Sequence, residues 1–144
     1  MAQFVYKRRV QFSETDMAGI VHFANFFRWM EEAEHEYFRS LGLKIVEPLV
    51  DGTTLGWPRV SVTCNYSAPV RYDREIEVRL DVERIGARSV TYVLEFWDDQ
   101  VRLAAGRLKS ACCVCHSDGT LVSVDIPERF LKQIHASPDV PTTE

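Results

Sequence analysis

One long stretch of this chain repeats with a helical period, and nearly every other patterned stretch repeats every second residue. From about Ala24 to Leu41 the apolar residues Phe26, Met30, Ala33, Tyr37 and Leu41 recur at steps of three or four, and Phe27 and Phe38 widen the stripe. Gly42 follows where a C-terminal cap belongs. At 1.5 Å per residue this predicts a helix about 27 Å long, enough to lie along a whole sheet. The helix is therefore the natural core element, and the strands must cover it.

The strand patterns lie on both sides of it. Phe4 to Phe12 alternates, with Phe4, Tyr6, Val10 and Phe12 on one side. Arg8 interrupts that side, which leaves either a wet section or a local irregularity of register. Lys44 to Gly56, with Pro48 and Gly52, reads as an irregular connection with a short helical turn near Ile45-Val46-Glu47. Four strand patterns follow: Arg59 to Ala68, Glu75 to Glu83, Ser89 to Trp97, and Val101 to Cys115. The inward set of the last, Ala104, Gly106, Leu108, Ser110, Cys112 and Val114, is small or apolar, as a face meeting a helix requires. Pro127 to His135 predicts a short terminal helix with proline in its first turn. The order predicts an α+β fold, a five-stranded antiparallel sheet curled around one long central helix. A single domain over 1–135 would then be followed by a polar tail over 136–144. The outer face of the sheet is only partly polar, since Val93 and Trp97 fall on it, so oligomerisation is expected.

Composition narrows the function classes. With 144 residues, 46% of them hydrophobic, one domain can bury a core without staples. A net charge of −4 argues against nucleic acid as a general partner. The N-terminus lacks a signal-peptide pattern and no apolar run is long enough to span a bilayer, so a soluble cytoplasmic protein is expected. Cys64, Cys112, Cys113 and Cys115 read as reduced thiols. The last three with His116 form a poor zinc set, because adjacent strand positions face opposite ways, so no metal is expected.

The chemistry gathers before the helix. Asp16-Met17-Ala18-Gly19 and Ile20-Val21-His22-Phe23 place a carboxylate shortly ahead of a helix N-terminus. The first N–H groups of a helix have no intrahelical acceptor and attract a developing oxyanion. A nearby carboxylate can attack a carbonyl or take a proton from water, which suits acyl transfer. On spacing alone, Asp16 reads more readily as a turn or capping aspartate.

Asp16-Met17-Ala18-Gly19-Ile20-Val21, Phe23-Ala24-Asn25-Phe26-Phe27-Arg28-Trp29 and Glu32-Ala33 together resemble the signature of the 4-hydroxybenzoyl-CoA thioesterase family, hotdog-fold acyl-CoA thioesterases. The resemblance runs from Val5 to about Ile134. It implies that Asp16 is the catalytic carboxylate, as nucleophile forming a mixed anhydride or as general base for water. It also implies that the backbone N–H of Phe23 donates to the oxyanion and that Gly19 lets the loop bend close to substrate. His22 departs from the pattern and is either a site-lining residue or a loop residue capping the helix. Arg88-Ser89, just after Ile85-Gly86-Ala87, falls near the nucleotide part of CoA in the family, and Arg74 is a further candidate for its phosphates among Arg71, Arg84, Arg107 and Lys109. No bound cofactor is implied, because CoA enters as part of the substrate.

A second branch of hotdog thioesterases uses a helix glutamate, which draws attention to Glu31, Glu32, Glu34 and Glu36; as a pattern these read as a solvated or interfacial face. Tyr66 and Thr63 lie on a strand that can line a pocket. In the family two protomers set their helices side by side and share active sites, so a homodimer or a dimer of dimers is implied. Aromatic and aliphatic acyl groups both suit a pocket rich in aromatic residues. Two other readings stand beside the thioesterase: a hotdog dehydratase centred on His22, and a non-catalytic module binding acyl-CoA or an acyl-carrier protein.

Overall fold

The computed structural model describes residues 2–144. The helical-period stretch forms α1 (Asn25–Ser40). Around it, β1 (Phe4–Arg9), β4 (Arg59–Tyr66), β5 (Glu75–Ile85), β6 (Ser89–Asp98) and β7 (Val101–Ala111) form an antiparallel sheet in the order β1-β5-β6-β7-β4. The α+β expectation holds in outline. Phe26, Trp29, Met30, Ala33 and Phe38 of α1 are buried against Ile76, Val78, Leu80, Tyr92, Leu94 and Phe96 of the two central strands. Burying each large side chain contributes about 1.5–3 kcal/mol, which makes this interface the main source of stability.

Two local devices fit the helix into the sheet. At its C-terminal end Gly42, at φ 72°, sends its N–H to Arg39 O and Leu43 sends its N–H to Phe38 O, a Schellman cap that turns the chain sharply. In the middle of β7, a Cβ on Gly106 would lie 2.1 Å from Thr63 O and 2.6 Å from Met30 Cε. Only glycine lets the helix and the neighbouring strand come this close.

Several expectations are corrected. β1 ends at Arg9 rather than Phe12; Val10 is still buried, but a short 3-10 turn over Phe12–Glu14 follows and leaves Phe12 exposed. The Arg8 ambiguity resolves as an inward polar section, with Arg8 Nη1 2.7 Å from Glu14 Oε1 and Nε 3.3 Å from Glu32 Oε1. No helical turn forms at 45–47. Instead β2 (Glu47–Pro48) and β3 (Thr54–Gly56) pair as a hairpin and join β8 (Cys113–Cys115) and β9 (Leu121–Ser123) in a second, four-stranded sheet.

The last strand pattern therefore divides at Cys112. Its N–H goes to Arg88 O, the next position of the β6–β7 register, and its carbonyl receives Val124 N–H, the next position of the β8–β9 register, so the chain passes from one sheet to the other there. α2 (Glu128–Leu131) is shorter than the patterned segment, with Phe130 and Ile134 buried. The tail lies along the outer face of the large sheet. Ser137 N–H reaches Val82 O at 2.7 Å, Asn65 Nδ2 donates to Thr143 O at 2.8 Å, and Arg107 Nη1 donates to Thr143 Oγ1 at 2.6 Å. It crosses the outward positions Val93 and Ala105, both buried.

Candidate active site

The loop between β1 and α1 is a small closed unit. Thr15 and Val21 form an isolated bridge, Asp16 N–H donates to Ile20 O at 2.8 Å, and Gly19 N–H donates to Asp16 O at 3.0 Å. Gly19 takes φ 79°, a conformation that disfavours any side chain, and so closes the turn. The Asp16 carboxylate is exposed and accepts one hydrogen bond, from Ala18 N–H at 2.8 Å. That is an Asx turn, and it leaves lone pairs of the carboxylate available.

The run after the loop holds the deciding feature. Val21 N–H donates to Val70 O, His22 N–H to Glu14 O, Asn25 N–H to His22 O, Phe26 N–H to Phe23 O and Phe27 N–H to Ala24 O. Ala24 N–H is taken by His22 Nδ1 at 3.2 Å. Among the described residues the N–H of Phe23 has no acceptor, so it stands open at the entry to α1. The His22 ring thus caps the helix start, and it stacks on Phe23 at 4.6 Å.

Beside this entry lies a cavity of about 340 Å³ whose lining includes Ile20, Phe23, Phe26, Tyr66, Pro69 and Val70. Tyr66 donates to Phe23 O at 3.0 Å, and its ring meets Phe26 edge-on at 4.9 Å. Burial, with Cys64 nearby, pushes the Tyr66 phenol up to about 12, so it remains a donor at neutral pH. The Cys64 thiol is pushed up to about 11 by burial and is no thiolate nucleophile. The arrangement offers a carboxylate, an open backbone donor and an apolar wall, the parts needed to add an oxygen nucleophile to an acyl carbonyl.

A family profile described as the thioesterase superfamily matches residues 18–105. The chain belongs to the thioesterase superfamily. Its sheet wrapped on a helix is the hotdog architecture of that superfamily, and the chain is a thioester hydrolase. An Aquifex aeolicus (strain VF5) protein provisionally named an esterase is 36% identical over 131 residues, 90% of this chain and 95% of that protein. A 1,4-dihydroxy-2-naphthoyl-CoA hydrolase of Prochlorococcus marinus (strain NATL2A) is 36% identical over 96 residues, 62% of this chain and 61% of that enzyme. A gentisyl-coenzyme A thioesterase structure superposes with a TM-score of 0.76 at 27% identity, covering 90% of this chain and 98% of that one. These relatives are not named for the 4-hydroxybenzoyl thioester, so membership stands at the level of the superfamily.

Within this thioesterase the structure brings Asp16, Gly19, His22 and Phe23 into one loop and helix entry. Arg74 lies at the same end, where it forms a two-pronged pair with Asp98 at 2.8 and 2.7 Å. Arg88 and Ser89 sit in and after the β5–β6 turn, at the opposite end of the sheet, with Arg88 Nε 2.9 Å from Asp125 Oδ1. One protomer therefore does not gather Arg74, Arg88 and Ser89 on a common rim.

The helix glutamates also divide. Glu34 is fully buried, contrary to a solvated face, with Arg59 Nη1 2.5 Å from Oε1 and Ser110 Oγ 3.1 Å from Oε2. Sequence reasoning overlooked Glu14 and Asn25. The signal for Glu14 was an acid two residues ahead of Asp16 and within salt-bridge reach of the anomalous Arg8.

Proposed function

We propose that this thioesterase hydrolyses acyl-CoA thioesters to a free acid and CoA. Asp16 acts as nucleophile or as general base for water, and the Phe23 N–H holds the carbonyl oxygen as it gains negative charge. With Asp16 as base, water adds to the thioester carbonyl, the tetrahedral oxyanion collapses, and the CoA sulfur leaves with the proton that Asp16 took from the water. With Asp16 as nucleophile, its oxygen displaces the CoA thiolate, which is protonated by water, and a water then cleaves the mixed anhydride to release the acid and restore Asp16. The open Phe23 N–H at an apolar cavity, with the exposed Asp16 carboxylate in the loop that leads to it, is the observation that carries the reading. One such donor is worth about 10²–10³ in kcat in comparable sites. The relatives named for naphthoyl-CoA and gentisyl-CoA thioesters, and the aromatic wall of Phe23, Phe26 and Tyr66, favour an aromatic acyl group, as in the 4-hydroxybenzoyl-CoA branch.

The working unit we propose is a homodimer or a dimer of dimers of a cytoplasmic enzyme. β4 is an edge of the large sheet and exposes Val60 and Val62. Two β4 edges paired antiparallel run in opposite directions. The Arg88–Ser89 end of one copy then meets the Asp16 end of the other, which supports a nucleotide-binding role for that pair despite their separation within one protomer.

Thiol release from a panel of benzoyl-type and aliphatic acyl-CoAs tests the reading, with native protein compared with Asp16→Asn. A fall of about 10²-fold or more on the best substrate is expected. Binding of acyl-CoA without thiol release by the native protein would replace the enzyme with a binding module. Turnover indifferent to the substitution would remove Asp16 from the mechanism.

A further inference from the structure

The Asp16 carboxylate is held only by its own loop, yet its value as a nucleophile or base depends on where it stands relative to the Phe23 N–H. Something outside the loop must fix that relation. Val21 N–H to Val70 O ties the end of the loop to the segment between β4 and β5, and Arg71 reaches Gly19 O only at 3.5 Å. Tyr66 OH holds Phe23 O from β4 at 3.0 Å, and most of the remaining ties converge on a single residue.

Glu14 makes five of them. Its Oε1 accepts Arg8 Nη1 at 2.7 Å and Gln11 N–H at 2.7 Å, and its Oε2 accepts Trp29 Nε1 at 2.8 Å. Its carbonyl oxygen accepts His22 N–H at 2.9 Å and Asn25 Nδ2 at 2.8 Å. The side chain thus grips β1 through Arg8 and the helix through Trp29. The carbonyl grips both residues that flank the Phe23–Ala24 entry. Its donors from the helix are themselves immobile, since Trp29 is fully buried and Asn25 nearly so. The Arg8 guanidinium also lies over the Trp29 ring at 4.9 Å, which closes the triangle of strand, turn and helix.

We infer that Glu14 is the positioning residue of this site: it sets the distance between the Asp16 carboxylate and the Phe23 N–H by locking both to β1 and α1. The inference rests on the proposed role of Asp16. Glu14 touches no reacting atom and acts through Asp16. Replacing the carboxylate with an amide turns an acceptor into a donor facing either Trp29 Nε1–H or the Arg8 and Gln11 donors, so one grip must open while volume is kept.

The test is a kinetic cycle of native protein, Glu14→Gln, Asp16→Asn and the double variant, read as kcat and KM by thiol release under enzyme excess where turnover is slow. Glu14→Gln is expected to lower kcat about 10²-fold, the scale of a 1 Å misplacement, with KM changed less than about threefold. In the Asp16→Asn background the same substitution is expected to change kcat less than about twofold, because the group it positions is gone. Asn25→Ala leaves the carboxylate's bonds intact and cuts only the grip on the Glu14 carbonyl; it is expected to lower kcat in the same selective way, which keeps the test valid if Glu14→Gln folds poorly. Equal fold-losses in both backgrounds, or losses confined to KM, would overturn the positioning role. Insensitivity of turnover to Asp16→Asn would overturn the underlying mechanism instead, and the two failures read differently in the same cycle.

Discussion

Gly106→Ala tests how tightly the helix is seated. The added methyl would lie 2.1 Å from Thr63 O, a backbone atom of β4, and 2.6 Å from Met30 Cε, the flexible end of a core side chain. Met30 can rotate away, but Thr63 O cannot, because its strand is paired with β7 through Thr63 and Arg107 on one side of the site and Cys64 and Gly106 at it. Restoring an ordinary contact needs the strands to part by about 1 Å, and overpacking of this kind costs about 1–3 kcal/mol or more. For a chain of this size that corresponds to a fall in Tm of roughly 4–10 °C. Thermal unfolding followed by circular dichroism, with urea titration for the free energy, measures it. The reasoning makes a sharper claim in the Met30→Ala background. Truncating Met30 removes the lesser clash only, so Gly106→Ala should remain destabilising there by at least half its original amount. Full rescue would mean that the side chain, not the strand, sets the closeness, and would refute the argument.

Glu34→Gln should change how stability varies with pH. Burial raises the Glu34 pKa, with Arg59 and Ser110 offsetting only part of the effect. The folded state then holds this proton more tightly than the unfolded state, so the contribution is present below the ordinary carboxylate value and is lost as pH rises through the higher folded value. Urea titrations at stepped pH should show native stability falling relative to Glu34→Gln from about pH 4.5 upward; parallel curves would contradict it. Deleting residues 137–144 removes the bonds to Val82, Asn65 and Arg107 and uncovers Val93 and Ala105. A loss of about 1–3 kcal/mol is expected in thermal unfolding, together with a concentration-dependent rise in sedimentation coefficient as the bared face finds partners.

Features set by neighbours in sequence were legible before any coordinates. The stripe Phe26, Met30, Ala33 and Tyr37 and the Gly42 cap are spaced by local helix geometry, and the alternation in β5 and β6 follows from one face meeting the core. What failed to show was non-local. Cys112 looks like any strand residue until Arg88 and Val124 claim its backbone, and nothing in residues 137–144 announces that Asn65 and Arg107 hold them. Arg74 and Arg88 were both candidates for the CoA phosphates, yet a strand of 11 residues at 3.3 Å each separates them by about 36 Å. At the site, the motif pointed to Asp16, Gly19 and Phe23 as candidates, whereas the role of Glu14 was hard to see because its bonds to Arg8 and Trp29 join a strand, a turn and a helix, which spacing alone does not show.

The buried charges share a common logic. β1 and β4 are the two edges of the large sheet, and each edge carries one ionic clamp onto α1. At the β1 edge, Arg8 joins Glu14 and Glu32, and Tyr6 OH donates to Glu32 at 3.3 Å. At the β4 edge, Arg59 joins Glu34 and Glu31 while Ser110 donates to Glu34. Between the edges the contact is almost wholly apolar. Apolar burial is non-directional, so a smooth helix on a curved sheet can slide or rotate with little loss, whereas a hydrogen-bonded charge pair tolerates only one register. Two clamps on opposite sides of the helix remove that freedom. The clamp at the β1 edge includes Glu14, so the contacts that set the register of α1 also set the position of the Phe23 N–H relative to Asp16. Helix seating and the geometry of the proposed oxyanion site are thereby one constraint, and a substitution that loosens the first should be felt in kcat before it is felt in global stability.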